Sequence, residues 1–322
     1  MSLLEYIQAR WRQVAENLPQ ERSANKILTT LLGLLGAFGR RTVTGSLVYL
    51  GLSQQDWIGR YRHFSRSPWS QDAIFRVACK DAAALVPAEL PFIPISLDDT
   101  SLPTTGTLGG LASWPRDPQS PPFQVNLRRG LRFVHAALVV PQYAPGVRPM
   151  AISTACDFCP PVKKPGAKAS DEDRAAYRKA KAQKNLSIQA VAILARHRQW
   201  LDNDGLTHRT LLAVVDGSYT NRTVIANLPE RSHLIGRCRR DIVLYQPGLT
   251  AHRYGKRFCT PEELRTDTAV AWTTTTCHYA GANRDIDYKM TTELRSSPPH
   301  TRIARPGRVE RTRNMANHQD AD

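Results

Sequence analysis

Two stretches of the chain carry residues with the means to do chemistry. "FIPISLDDTSLPTTG" (92–106) sets Asp98 and Asp99 after an alternating apolar run and before a loop of Thr, Ser, Pro and Gly. "TLLAVVDGSYTNR" (210–222) ends a second apolar run on Asp216, with Gly217 making the turn. If the two runs are neighbouring strands, their terminal carboxylates repel by about 4 kcal/mol at a separation of about 4 Å and an effective dielectric near 20. Both stay ionised only with a cation between them. Hard oxygen ligands with open positions select magnesium or manganese. Such ions activate a water or hydroxyl and stabilise the leaving oxygen in phosphodiester cleavage. Taken singly, Asp98 and Asp99 also suit a loop cap or an Asx-turn, and "VVDGS" suits any strand-to-helix turn. The metal reading therefore needs both motifs together. Alternation from Ile93, Ile95 and Leu97 puts Asp99 on their face and Asp98 on the other. Asp99 and Asp216 are thus the candidate catalytic and metal-binding pair.

Positioning that pair requires a sheet. Strand-like runs precede Asp98 and recur in "RFVHAALVV" (132–140) and "VRPMAIST" (147–154). A long helix is expected from about Ser170 to Leu201, with Ser170 and Asp173 forming a capping box. The strand ending on Asp216 follows, then a short helix opened by Ser218, then a strand pair in "SHLIGRC" and "DIVLYQP". Three strands, helix, strand, helix, strand is the order of the ribonuclease-H-like fold, whose first and fourth strands lie side by side. The fold class expected is α/β, an RNase H-like mixed sheet with an N-terminal all-helical domain.

The helical domain is read from Leu4, Ile7, Trp11, Val14 and Leu18, which fall on one helical stripe, and from residues 27–38, apolar nearly all round and expected to be buried. Beyond them, "TVTGSLVYLGLSQQDWIGRYRHFSRS" reads as two helices joined at Gly51, the second capped by Ser53 and carrying Arg60, Arg62, His63 and Arg66. A helix-turn-helix has this pattern, and so does an ordinary helical hairpin with a solvated basic face.

Against 28 Asp and Glu stand 44 Lys and Arg, a formal net charge of +16, which favours a polyanionic partner, nucleic acid first. Candidate DNA contacts are Arg60, Arg62 and Arg66, then Arg128, Arg129 and Arg132, then Lys179, Lys181 and Lys184 on the basic helix. The apolar run at 27–38 is too short to span a bilayer and too far from the N-terminus for a signal peptide, so a cytoplasmic, membrane-free protein is expected. Cys156 and Cys159 have metal-ligand spacing without a second pair, which reads as two thiols.

"LDDTSLPTTG", "GGLASWPRDPQSPPFQVNLRRGLRFVHAALVVP" and "VVDGSYTNRTVIANLP" resemble the DDE transposases of bacterial insertion sequences, in the group described as DDE superfamily endonucleases. The resemblance spans about residues 1–290. It implies that Asp99, the acid before Thr100, and Asp216 are the first two metal ligands. It further implies two magnesium ions, recognition of element ends in double-stranded DNA, cleavage by water and transfer to a target by the freed hydroxyl. A homodimer in the DNA complex is compatible with it. The family's third acid is a Glu in a pattern of Tyr, two residues, Arg, three residues, Glu, six residues, Lys. The nearest approach here, from Tyr254, has Pro261 where the Glu belongs, and Thr260, Pro261 and Glu263 read as a capping box. Residues 291–322 read as a disordered basic tail, in which neither Glu293 nor Glu310 lies on a periodic segment. The expected organisation is a helical DNA-binding domain (1–90), an incomplete catalytic domain (91–290) and that tail. The expected function is a transposase that is truncated and impaired. The alternatives are an RNase H-like nuclease or resolvase, and a non-catalytic DNA-binding remnant.

Overall fold

The structure, a computed structural model, describes residues 2–39, 41–54, 57–66, 70–106, 110–117, 120–121, 123–124, 126–142, 148–247, 254–279, 282–291, 295–296 and 307–312. Five helices come first. Helix α1 (Leu3–Ala15) opens with a capping box between Ser2 and Glu5, and α2 (Glu21–Gly36), α3 (Val43–Tyr49), α4 (Trp57–Arg66) and α5 (Asp72–Leu85) follow. Trp11, Val14 and Leu18 of the expected stripe pack with Ala24, Ile27, Ala73 and Val77. The expectation of a wholly buried second helix does not hold. Helix α2 buries one stripe, Ala24, Ile27, Thr30 and Gly33, while Leu35 and Phe38 are 69% and 96% exposed, because its neighbours α1, α3 and α4 do not enclose it. Nor does Ser53 sit at the start of α4. The helix begins at Trp57, whose indole N–H donates to the Ser53 carbonyl at 2.7 Å.

Helix α5 links the two halves. Its Ala73 and Val77 belong to the helical core, whereas Cys79, Ala82 and Ala83 pack into the core beneath the sheet.

That sheet is built from β1 (Phe92–Pro103), β2 (Gly130–Val140), β3 (Met150–Phe158), β4 (Thr210–Val215) and β5 (Ser232–Gly236), in the order β3-β2-β1-β4-β5. The pairs β1–β2 and β2–β3 are antiparallel, and β1–β4 and β4–β5 are parallel. This is the mixed sheet of the RNase H-like class. Its core face carries Ile93, Ile95, Leu97, Val134, Ala136, Leu138, Leu211 and Ala213, covered by Ile193, Leu194 and Leu201. Each of the Ile, Leu and Val side chains among them stabilises the fold by roughly 1.5–3 kcal/mol.

Three sequence expectations are corrected here. The helix expected over 170–201 is two helices, α6 (Asp171–Gln183) and α7 (Leu186–Asn203). The chain leaves helical geometry at Lys184, and the Asn185 side chain accepts the Ile188 N–H to start α7. The short helix α8 (Arg222–Ala226) is capped by Asn221 instead of Ser218. The expected terminal strand pair is split. "SHLIG" joins the main sheet beside β4, whereas β6 (Leu244–Pro247) pairs with β7 (Tyr254–Cys259) in a second sheet.

Helix α9 (Pro261–Thr266) opens on the expected box of Thr260 and Glu263. A third sheet holds β8 (Thr273–Tyr279) and β9 (Ala282–Thr291). Within the stretch read as tail, β10 (Arg295–Ser296) pairs with β6 and β11 (Gly307–Thr312) pairs with β9; its other residues after 291 lie outside the described ones. No described helix is long and apolar enough to cross a membrane.

Candidate active site

The site begins with how β1 and β4 are locked together. At their start, the Thr210 N–H donates to the Pro91 carbonyl at 2.9 Å. The nearly buried Arg209 guanidinium donates to the carbonyls of Pro87, Leu90 and Phe92 at 2.8, 3.0 and 3.2 Å. A cation buried among carbonyl oxygens satisfies groups that the turn into β1 would otherwise leave orphaned. The parallel register then runs from Phe92 opposite Thr210 to Leu97 opposite Val215. Asp216 lies one residue past Val215 at the end of β4, whereas Asp99, two residues past Leu97, stays inside β1, which runs on to Pro103 against β2. Both acids thus lie just beyond the β1–β4 pairing, but only Asp216 is at a strand end.

Asp216 is held by its own turn. Its Oδ1 accepts the Ser218 N–H at 2.9 Å, its Oδ2 accepts the Ser218 hydroxyl at 2.8 Å, and its carbonyl accepts the Thr220 hydroxyl at 3.1 Å. Ser218 therefore serves the carboxylate, which is why Asn221 caps the helix. Gly236 of β5 lets this turn close, since a Cβ there would stand 2.2 Å from the Thr220 hydroxyl oxygen.

Asp99 lies on the face of Ile93, Ile95 and Leu97, and strand alternation places it with them. Its Oδ2 accepts the Arg132 Nε–H of β2 at 2.8 Å, and the Arg132 Nη2 stands 2.7 Å from the same oxygen as an ion pair. Arg132 stands opposite Ser101, one step along the same face, so the two side chains meet diagonally. Gly130 allows β2 to start flush on β1, since a Cβ there would come within 2.6 Å of the Leu102 carbonyl oxygen. Asp98 pairs with His135 on the other face, and its Oδ1 accepts the Asp99 N–H at 2.8 Å. His135 is engaged with the Ser153 hydroxyl of β3 at 2.8 Å.

Sequence reasoning missed Tyr219. This buried phenol sits in the field of Asp99, Asp98 and Asp216. Burial pushes its pKa up, the three carboxylates add to that, and Arg132 opposes them. It stays protonated, and its buried hydroxyl has no hydrogen-bond partner among the described residues. The signal available was an aromatic residue inside a turn otherwise built from Gly, Ser and Thr. Cys159 lies at the other side of Arg132, donating its N–H to the Arg132 carbonyl at 2.8 Å. Burial raises its thiol, with Arg132 pulling the other way. The Cys156 thiol is also raised by burial.

The basic residues separate into roles. Arg60 donates to the Lys26 carbonyl of α2 at 3.1 Å, and Arg129 to the Gly106 carbonyl at 2.5 Å. Arg62, Arg66 and Arg128 are exposed. So are Lys179 and Lys181 on α6, which buries no residue, and Lys184 just after it. Beyond the end of β1, Trp114, Leu127, Arg128 and Arg129 line a groove of about 790 Å³ with Pro103, Thr104 and Thr105.

The glutamates nearest the third-acid pattern are engaged locally. Glu263 accepts Arg257 at 2.6 Å and the Thr260 N–H at 2.8 Å, and Glu262 accepts Arg265 at 2.6 Å. Glu293 lies outside the described residues, and Glu310 is in the strand β11. Among the described residues no three His, Cys, Asp or Glu side chains are grouped to share a metal ion. The donor set of Asp99 and Asp216 fits a hard divalent cation held by two carboxylates with its other positions open. It does not by itself supply a third protein ligand.

A mixed sheet of this order behind an N-terminal helical region is the RNase H-like architecture. The chain belongs to the family described as DDE superfamily endonuclease, whose sequence profile matches residues 13–297. That family acts on DNA and is divalent-metal dependent. No curated protein matches the sequence.

Proposed function

We propose that the protein is an insertion-sequence transposase by descent that binds element ends and nicks them with magnesium or manganese, and that its strand transfer is impaired. One observation supports this reading: the parallel β1–β4 pairing ends at Leu97 opposite Val215, with Asp99 two residues further along β1 and Asp216 one residue past β4. Bound there, the metal would activate water and stabilise the leaving oxygen. The chain's own residues do the rest. Asp99 and Asp216 hold the cation, Ser218 keeps the Asp216 carboxylate oriented, and the protonated Tyr219 keeps the floor of the site uncharged. Residues 1–90 serve as the DNA-binding domain and 91–290 as the catalytic one. Phosphates are held by Arg62, Arg66, Arg128, Lys179, Lys181 and Lys184, with a second copy of the chain on the paired element end. Impairment is supported by Pro261 at the position of the family's Glu and by the local ion pairs of Glu262 and Glu263. A third carboxylate normally helps fix the second metal, and in-line displacement requires positioning within about 0.5 Å.

The test is divalent-metal-dependent nicking of cognate element ends by the purified chain. Nicking that disappears in Asp99→Asn and Asp216→Asn, without joining to a target, is expected. Joining at the rate of a full-length relative would overturn the impairment. DNA binding with no nicking in any metal would leave a non-catalytic DNA-binding protein.

A further inference from the structure

Arg132 was expected on sequence grounds to hold DNA, yet its guanidinium lies on the Asp99 carboxylate. Three features of the contact bear on its purpose. The Nε hydrogen bond and the Nη2 ion-pair contact both fall on one oxygen, Oδ2, so Arg132 offsets the Asp99 charge at that oxygen. The Arg132 side chain is 38% exposed against 19% for Asp99, so the guanidinium has an open path away from the carboxylate, while Asp99 stays anchored on the core face. The other carboxylates near this point are already engaged, Asp98 Oδ1 by the Asp99 N–H and both Asp216 oxygens by Ser218. A divalent cation on Asp99 would face a guanidinium already bound to the same carboxylate, and like charges sharing one ligand repel strongly at short range. The nearest alternative anion for a displaced Arg132 is a DNA phosphate, which Arg binds through its planar fork. Arg129 and Arg128 lie three and four residues upstream, respectively, so that phosphate would already be drawn to this edge of the sheet.

We infer that Arg132 is an exchangeable counter-ion, occupying Asp99 until a divalent cation arrives and then passing to a DNA phosphate, so that metal and DNA binding are coupled through one side chain. The inference rests on Asp99 and Asp216 being the metal ligands. Metal entry displaces a partly exposed ion pair, which costs little, so removing Arg132 should tighten Mn²⁺ binding by about two- to fivefold. By reciprocity, metal should free Arg132 for DNA.

The test measures Mn²⁺ binding from the loss of the free-ion paramagnetic resonance signal in wild type, Arg132→Gln, Arg132→Lys and Asp99→Asn, each checked by thermal melting. Expected are tighter binding in Arg132→Gln, near-wild-type binding in Arg132→Lys, and loss in Asp99→Asn. A second arm measures the salt dependence of binding to a duplex carrying no element end. Wild type should exceed Arg132→Gln by about one unit of log–log slope with Mn²⁺ present and by none without it. If Asp99→Asn abolishes Mn²⁺ binding but Arg132→Gln binds Mn²⁺ equally or more weakly, Arg132 is a fixed support of Asp99; the inference falls and the metal site stands. If Asp99→Asn leaves Mn²⁺ binding unchanged, or no variant binds Mn²⁺, both fall. Should Arg132→Gln fail to fold, Arg132→Lys carries the second arm, and a slope that does not respond to Mn²⁺ in either folded protein overturns the coupling.

Discussion

The central sheet and the C-terminal sheets of this chain are built on different physics. Around β1, β2 and β4 the core is a continuous set of buried aliphatic side chains, and the acids stand where that core opens. In residues 254–291 the described buried residues are Pro261, Leu264, Asp287 and Lys289. Asp287 accepts the Thr274 hydroxyl at 2.8 Å, and Lys289 donates to the Asp267 carbonyl and lies over Trp272, 4.7 Å from the ring centroid. A catalytic group must be held rigidly to contribute, and dense apolar packing provides that rigidity. The difference teaches why the two acids proposed as metal ligands are backed by a packed core while Glu262 and Glu263 in the C-terminal region are held by local ion pairs.

The largest effect should come at these two acids. Asp99→Asn or Asp216→Asn is expected to lower metal-dependent nicking by at least about 100-fold, since even residues that merely orient metal ligands cost 10–100-fold. The melting temperature should change little. A matching loss in Glu262→Gln and Glu263→Gln would break the comparison by placing a ligand in the C-terminal region.

Stability should divide the same way. Ile95→Ala, at a fully buried core position, is expected to cost about 2–5 kcal/mol in urea unfolding. Leu264→Ala should instead raise proteolytic cleavage around α9 with a smaller change in the global transition. Equal losses would show that the two regions unfold as one unit.

Acid should weaken the central region by a comparable amount. His197 is fully buried, its Nδ1–H donating to the Ile193 carbonyl at 2.7 Å and its Nε2 accepting the Thr154 hydroxyl at 2.8 Å. Burial above all, with nearby Arg196, lowers its pKa from 6.5 to about 4, against the opposing pull of the Ile193 carbonyl and Asp157. The unfolded chain takes up this proton before the folded one does. The contribution is therefore whole above pH 6.5 and is lost as the pH falls toward 4, a change of about 3 kcal/mol. Unfolding free energies of wild type and His197→Gln should converge over that window, and parallel curves would show that another group governs acid sensitivity.

The smallest effect concerns α6. Replacing Lys179, Lys181 and Lys184 together by Ala should reduce the salt slope of DNA binding by about three units, measured by anisotropy, without altering the fold, because α6 buries nothing. An unchanged slope would move the phosphate contacts to the helical domain.

Sequence alone determined what depends on local periodicity and local hydrogen bonds. The strand alternation through Ile93, Ile95 and Leu97 that aims Asp99 inward, the capping boxes at Ser170 and Thr260, and the strand order all follow from neighbours a few residues apart. The break at Asn185 and the cap at Asn221 obey equally local rules and were legible in the same way; each lost to a plainer alternative, one long helix and Ser218. What only the tertiary structure decided are pairings set by register between segments distant in the chain. Arg132 reaches Asp99 because Gly130 starts β2 flush against Leu102, 28 positions earlier. Tyr219 enters the field of three carboxylates because β4 lies beside β1. Arg209 meets the carbonyls before β1 for the same reason. A one-residue slip in any of these registers would turn each side chain to the opposite face, and composition and spacing carry no record of which register the packed core selects.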